Sequence, residues 1–194
     1  MKCNDGNSRR VILVRHGCVA ERYHGICYGS SDIELSDEGH RQTCALAAGL
    51  SALDITHLFH SGLARARLLA EMLAGTTGLE PVCVPALREI NFGHWELRSW
   101  EDIFAEVGEA MAGLIQAPAT FRPPAGETAY ELRDRVLDWY GQLPREGTIV
   151  AVAHGGPIAA LRGSLADIPV AEWPALVPAY GEWVELDESR KTDG

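Results

Sequence analysis

Short apolar runs alternate along the chain with longer stretches whose apolar residues recur every three to four positions. Arg10–Val14, His57–His60, Pro81–Val84, Thr148–Ala153 and Glu182–Leu186 read as strands. Ser36–Leu53, Gly62–Ala74, Ser99–Gln116, Thr128–Gln142 and Pro157–Leu165 read as helices. TIVAVA, residues Thr148–Ala153, is continuously apolar, as a central strand covered on both faces requires. Strands alternating with helices of these lengths predict an α/β fold: a three-layer α/β/α sandwich with a mostly parallel central sheet flanked by helices. There is no internal repeat, and the proline-rich stretch Gln116–Thr128 reads as a surface loop rather than a linker. Residues 10–187 are therefore expected to form one domain, with loose polar tails at 1–9 and 188–194.

Two of the strands end alike. VILV runs into Arg15-His16-Gly17, and IVAVA runs into His154-Gly155-Gly156. In open α/β sheets, ligands sit beyond the carboxyl ends of strands at a topological switch point. If the two strands are neighbours, both imidazoles open into one crevice. Pro157 suits the first turn of a helix, whose N-terminus would add free N–H groups and a positive partial charge. Arg65, in the first helical turn after the strand ending at His60, falls near the same rim. Two histidines, two arginines and a helix N-terminus converging there suit a tetrahedral dianion.

Composition narrows the picture without deciding it. A chain of 194 residues with 46% hydrophobic content buries a core without a metal or disulfide staple. Five cysteines, an odd number with no CxxC pair, argue for reduced thiols and a cytoplasmic setting. No run approaches the ~20 apolar residues of a membrane span, so no membrane partner is expected. The net charge of -10 disfavours a nucleic-acid footprint, so positive potential for an anion must come from a few convergent arginines. No HExxH or paired Cys/His spacing points to a metal, and no GxxxxGK[ST] loop is present. Taken singly, each candidate also suits a plainer role: Arg15-His16 as surface groups, Arg65 as a solvated helix charge, His57 and His60 as residues flanking a strand. Recurrence in register favours the site.

RHG, then YGSSDIELSDEG, HSGLARARLLAEML, REINFGHWE and VAHGG occur in an order that resembles the histidine phosphatase, or phosphoglycerate-mutase-like, superfamily. Within it, GICYGSSDIELSDEG is most similar to the branch containing α-ribazole phosphatases. The resemblance implies a phosphomonoesterase that needs no metal or other cofactor and acts through a phosphohistidine on a small phosphorylated metabolite. His16 would be the nucleophile, Arg15 and Arg65 would hold the nonbridging oxygens, and His154 would donate a further hydrogen bond. Glu89 would protonate the leaving alcohol and then deprotonate water. These residue types suit a loose transition state with charge spread over oxygens, which planar guanidinium forks bind bidentately. Histidine is a nucleophile only while neutral, with its other nitrogen held by a fixed acceptor.

The chain departs from the family pattern after RHG. Cys18 and Val19 stand where Glu-Thr or Gln-Thr is common, and Arg22 stands where asparagine is common. Arg22 and Gly155 are assigned to phosphate binding, the alternative for Arg22 being a solvent-facing side chain. Glu96 is read as a structural or rim carboxylate and Glu127 as an organiser of its loop or of the following helix start. Tyr23, Tyr28, Phe92, Trp95, Trp100 and Phe121 are candidates for the approach to the site or for the core. The short stretch between Glu89 and His154 leaves little lid, which favours hydrolysis over a cofactor-dependent phosphoglycerate mutase. A non-catalytic phosphate-binding module is the other alternative. Oligomeric state is not legible.

Overall fold

In the computed structural model, which describes residues 9–186, the two most apolar runs are the most deeply buried strands. In chain order the strands are β1 (Arg10–Arg15), β2 (Ile26–Cys27), β3 (Ile55–His60), β4 (Val82–Cys83), β5 (Arg98–Ser99), β6 (Thr148–Ala153) and β7 (Trp183–Glu185). The helices are α1 (Asp37–Leu50), α2 (Ala64–Thr77), α3 (Trp100–Val107), α4 (Gly113–Gln116), α5 (Ala129–Gly141) and α6 (Gly155–Leu165). One sheet has the order β4-β3-β6-β1-β7 and the other joins β2 to β5. The first four strands of the large sheet run parallel, and β7 closes its edge antiparallel to β1.

Side chains of a strand alternate between the faces of its sheet, and here the two faces collect separate cores. Val11, Leu13, Ile149 and Ala151 pack against Leu132, Val136, Ile158 and Leu161 of α5 and α6. Ile12, Val14, Val150 and Val152 pack against Leu46, Leu50, Leu69 and Leu73 of α1 and α2. These are the three layers. A third, smaller core of Cys27, Trp95 and Ile103 joins the β2/β5 ribbon to α3.

Helix ends follow local chemistry. Ser36 caps α1, its hydroxyl accepting from Gly39 N–H at 3.0 Å. Thr128 and Glu131 form a reciprocal capping box at the start of α5. Helix α2 runs to Thr77, past the expected Ala74, and stops where Gly78 adopts a left-handed conformation. The helix expected over Ser99–Gln116 is broken: α3 ends at Val107, a 3-10 turn covers Gly108–Ala112, and α4 follows. Gly108, at φ 55°, takes the chain out of helical geometry. The Pro81–Val84 run contributes only the two residues of β4, and Gly155 rather than Pro157 begins α6. The β2/β5 ribbon was not predicted, because two-residue strands carry no alternation to detect. Among the described residues the cysteines are unpaired, and no helix is long and apolar enough to cross a membrane. Arg9, placed in the N-terminal tail by the sequence, donates to Tyr140 Oη at 3.0 Å; the rest of both expected tails lies outside the described residues.

Candidate active site

Because β1 and β6 are adjacent and parallel, with Arg15 opposite Ala153, their carboxyl ends deliver His16 and His154 side by side. The ring centroids are 5.0 Å apart. His16 is 2% exposed and His154 0%. His16 Nδ1 lies 2.7 Å from the carbonyl of Gly17. A carbonyl only accepts, so Nδ1 carries the proton and Nε2 carries the lone pair. Burial, with Arg65 and Arg15 close by, lowers the His16 pKa to about 3. The imidazole is therefore neutral at physiological pH. Gly17 itself is tightly seated: a Cβ there would lie 2.3 Å from the carbonyl oxygen of Gly39, so α1 packs directly on the turn carrying His16.

His154 is also held neutral by burial and by the positive groups around it. Its Nε2 is 2.7 Å from Ser61 Oγ, whereas its buried Nδ1 has no partner. Ser61 Oγ already accepts from Leu63 N–H at 3.3 Å and is placed to donate to Nε2. That tautomer leaves an N–H on Nδ1 for a guest. Ser61 was not singled out from the sequence; a lone serine at a strand end carries no motif.

The two arginines are fixed by carbonyl oxygens rather than carboxylates. Arg65, 1% exposed, donates through Nη1 to Ser31 at 2.7 Å and through Nη2 to Gly29 at 2.8 Å. Arg15 donates through Nη1 to Pro178 at 2.8 Å, and its guanidinium stacks on Tyr180, with Cζ 3.7 Å from the ring centroid. The Nε of each arginine is buried without a partner, and among the described residues neither forms an ion pair. Desolvated charges of this kind are costly unless an anion meets them. Two tyrosines bridge the pair: Tyr180 faces Arg15, Tyr28 lies 5.4 Å from Arg65 Cζ, and the hydroxyls meet at 2.6 Å.

Glu89 enters from the loop after β4. Its carboxylate accepts from Ile90 N–H at 2.9 Å and from Gly156 N–H at 3.1 and 3.2 Å. The N–H of Gly156, in the first turn of α6, thus goes to the acid, while Gly155 lines the cleft beside Arg15. Behind this loop, Arg135 donates to the carbonyls of Ala86 (2.5 Å) and Glu89 (3.2 Å) and pairs with Glu127 at 2.7 Å. Glu127 also accepts from Asn91 N–H at 2.8 Å, so it organises the acid's loop. Glu96 does the same for the arginine side: it accepts from Ser30 N–H, both the Ser30 and Ser31 hydroxyls, and Phe92 N–H, bracing the carbonyls that hold Arg65.

The structure thus gathers Arg15, His16, Arg65, Glu89, His154 and Gly155, and it leaves out Arg22. That side chain is 65% exposed, ion-paired with Glu34 and set over Tyr23, in a hollow separate from the cleft. The expectation that Arg22 reaches the phosphate is corrected accordingly: a one-turn 3-10 helix at Glu21–Tyr23 turns it outward. A cleft of about 560 Å³ opens from Arg15, Glu89 and Gly155 to the surface. Tyr23, Tyr28, Phe92 and Trp100 line it, Trp95 is buried in the third core, and Phe92, Trp100 and Phe121 pack against that core. Among the described residues no cluster of three or more His, Cys, Asp or Glu is arranged to hold a metal ion.

Residues 11–192 match the profile of the histidine phosphatase superfamily (branch 1). The chain belongs to this superfamily. Relatives of this histidine phosphatase include the glucosyl-3-phosphoglycerate phosphatase of Mycobacterium tuberculosis, 33% identical over 87% of this chain and 80% of the relative. A probable phosphoglycerate mutase, GpmB, of Erwinia tasmaniensis is 31% identical over 82% of this chain and 76% of its own length. Among solved structures, a mycobacterial glucosyl-3-phosphoglycerate phosphatase in complex with VO3 superposes with a TM-score of 0.79 at 32% identity, covering 93% of both chains. The α-ribazole phosphatase of Shigella flexneri superposes with a TM-score of 0.81 at 25% identity, covering 92% of this chain and 90% of its own.

Proposed function

We propose that this histidine phosphatase is a metal-independent phosphomonoesterase that transfers the phosphoryl group of a small phosphorylated metabolite through His16. One observation carries the reading: a neutral imidazole with its lone pair on Nε2 lies beside one buried and one half-buried guanidinium, neither ion-paired among the described residues. That arrangement suits a dianion whose phosphorus faces Nε2 and whose oxygens receive Arg15, Arg65 and His154 Nδ1–H.

In the first step Nε2 attacks phosphorus, the P–O bond to the alcohol breaks, and protonated Glu89 gives its proton to the departing oxygen. The products are phosphohistidine, the free alcohol and the Glu89 carboxylate. In the second step Glu89 takes a proton from water, the hydroxide oxygen bonds to phosphorus, and the P–N bond breaks. Phosphate leaves and His16 returns to its neutral form. The carbonyl of Gly17 balances the positive charge that develops on the ring during attack. Relatives named as phosphatases support hydrolysis, and the likeness to an α-ribazole phosphatase makes α-ribazole 5'-phosphate the first specific substrate to try.

The test is release of phosphate from p-nitrophenyl phosphate with chelator present, together with acid-labile labelling of the protein by a radioactive monoester. Turnover and label are both expected, and both are lost in His16→Ala. No turnover by the parent protein points to a phosphate-binding module. Conversion of 3-phosphoglycerate that depends on a bisphosphorylated primer and outpaces hydrolysis points to a mutase.

A further inference from the structure

Beyond the phosphate end, the cleft has an unusual charge balance. Among the described residues Arg15 is the only arginine on its lining, and those residues contain no lysine at all. Arg22 sits in the neighbouring hollow paired with Glu34. The remaining charged group on the lining is Glu89, and the one imidazole, His24, is exposed at the rim. The walls are otherwise apolar or aromatic: Tyr23, Ile26, Ile90, Phe92, Trp100 and Val177. Phe92 and Trp100 meet edge to face, with centroids 5.3 Å apart and planes at 89°. Both are held in place, Phe92 by its N–H to Glu96 at 3.1 Å and Trp100 by its N–H to the Gly25 carbonyl at 2.9 Å. Phe92 lies three residues after Glu89, so the aromatic wall begins beside the acid that serves the leaving oxygen.

We propose that the site takes monoesters whose alcohol is uncharged and carries a ring or similar apolar surface, and that it discriminates against alcohols bearing a carboxylate near the ester. The proposal rests on the phosphatase reading above. A carboxylate entering this cleft gives up water, meets no base in exchange, and approaches Glu89. Forgoing a charge-assisted hydrogen bond is worth about tenfold or more in transition-state binding. A ring resting on Phe92 and Trp100 gains a comparable factor from aromatic contact and burial. The phosphoglycerates in the names of two relatives carry such a carboxylate, so this chain separates from them in substrate class despite sharing the phosphate end.

The experiment compares kcat/KM for naphthalen-2-ylmethyl phosphate, glycerol 3-phosphate and 3-phosphoglycerate under one set of buffer conditions. All three are alkyl esters, so leaving-group acidity does not set the order. The arylmethyl ester is expected to lead and 3-phosphoglycerate to trail by about 100-fold, the product of the two factors. Trp100→Leu should lower the arylmethyl value about tenfold more than the glycerol phosphate value, mainly through KM. Ile26→Lys should raise 3-phosphoglycerate relative to the arylmethyl ester, a gain that misfolding cannot imitate. Equal or faster His16-dependent turnover of 3-phosphoglycerate overturns the substrate class while leaving the phosphatase reading intact. Equal loss on every ester in Trp100→Leu, with no gain in Ile26→Lys, overturns it as well. If p-nitrophenyl phosphate also shows no His16-dependent turnover, the phosphatase reading fails and the substrate class falls with it.

Discussion

Gly156→Ala isolates the acid from the rest of the site. A Cβ at this position would lie 2.2 Å from Glu89 Oε1 and 3.3 Å from its carboxyl carbon. Real contacts of that kind stay beyond about 3 Å, so the carboxylate must withdraw by about 1 Å or rotate away. The displaced atom is the far end of a flexible side chain, so the cost to the fold is small, and alanine in a first helical turn offsets part of it. The reaction suffers more. General acid catalysis supplies about 10²–10⁴ in rate, and a misplacement of about 1 Å forfeits about 10² of it. The loss should depend on the alcohol. In kcat/KM, which reports the steps through first P–O cleavage, an alkyl phosphate is expected to lose about 100-fold. p-Nitrophenyl phosphate, whose alcohol departs as a stable anion without a proton, should lose only a few-fold in the same parameter. Thermal melting should stay within a few degrees of the parent. Steady-state assays with both esters and a melting curve suffice. Equal losses on the two esters would show that the substitution disturbs the phosphate end instead, and an unchanged alkyl rate would remove Glu89 from the first step.

Three further expectations follow from the same geometry. His16 titrates at about 3 in the fold against an ordinary 6.5, so between these values the unfolded chain binds more protons and stability rises with pH. The contribution is complete above the ordinary value, is lost as pH falls toward about 3, and amounts to at most about 5 kcal/mol; denaturant midpoints should therefore drop less between neutral pH and about pH 4 in His16→Asn than in the parent. Arg65→Met removes a buried guanidinium that forms no ion pair among the described residues, so melting without phosphate should change little, while stabilisation by added phosphate falls by about 2 kcal/mol or more. A lower melting point with phosphate stabilisation intact would contradict that account. Arg22→Ala should leave kcat/KM within about twofold, because an exposed ion pair outside the cleft carries little energy; a tenfold loss would return Arg22 to the phosphate.

The strand-end pair Arg15-His16 and His154 was legible because a run buried on both faces cannot hold a polar group until it leaves the sheet, so polar residues at its end stand out. The layers were legible for a related reason, since alternation along β1 and β6 assigns each apolar residue to one of two cores. Family likeness singled out Glu89, which local pattern alone does not separate from a surface charge, whereas Arg65 followed from its place in the first helical turn after a strand. What no linear pattern carried was adjacency. That β6 lies against β1, and so sets two imidazoles 5.0 Å apart, is a choice of strand order made by global packing. The Ser61 contact to His154, the Tyr28–Tyr180 bridge and the Arg135–Glu127 brace join residues distant in the chain, and each depends on loops whose paths tertiary contacts decide. Arg22 shows the converse: its position relative to His16 in the chain suggested a ligand, but one short turn aimed it at Glu34. Burial and alternation are local properties of a chain and can be read along it, whereas the direction of a side chain leaving a loop is settled only by the neighbours it meets.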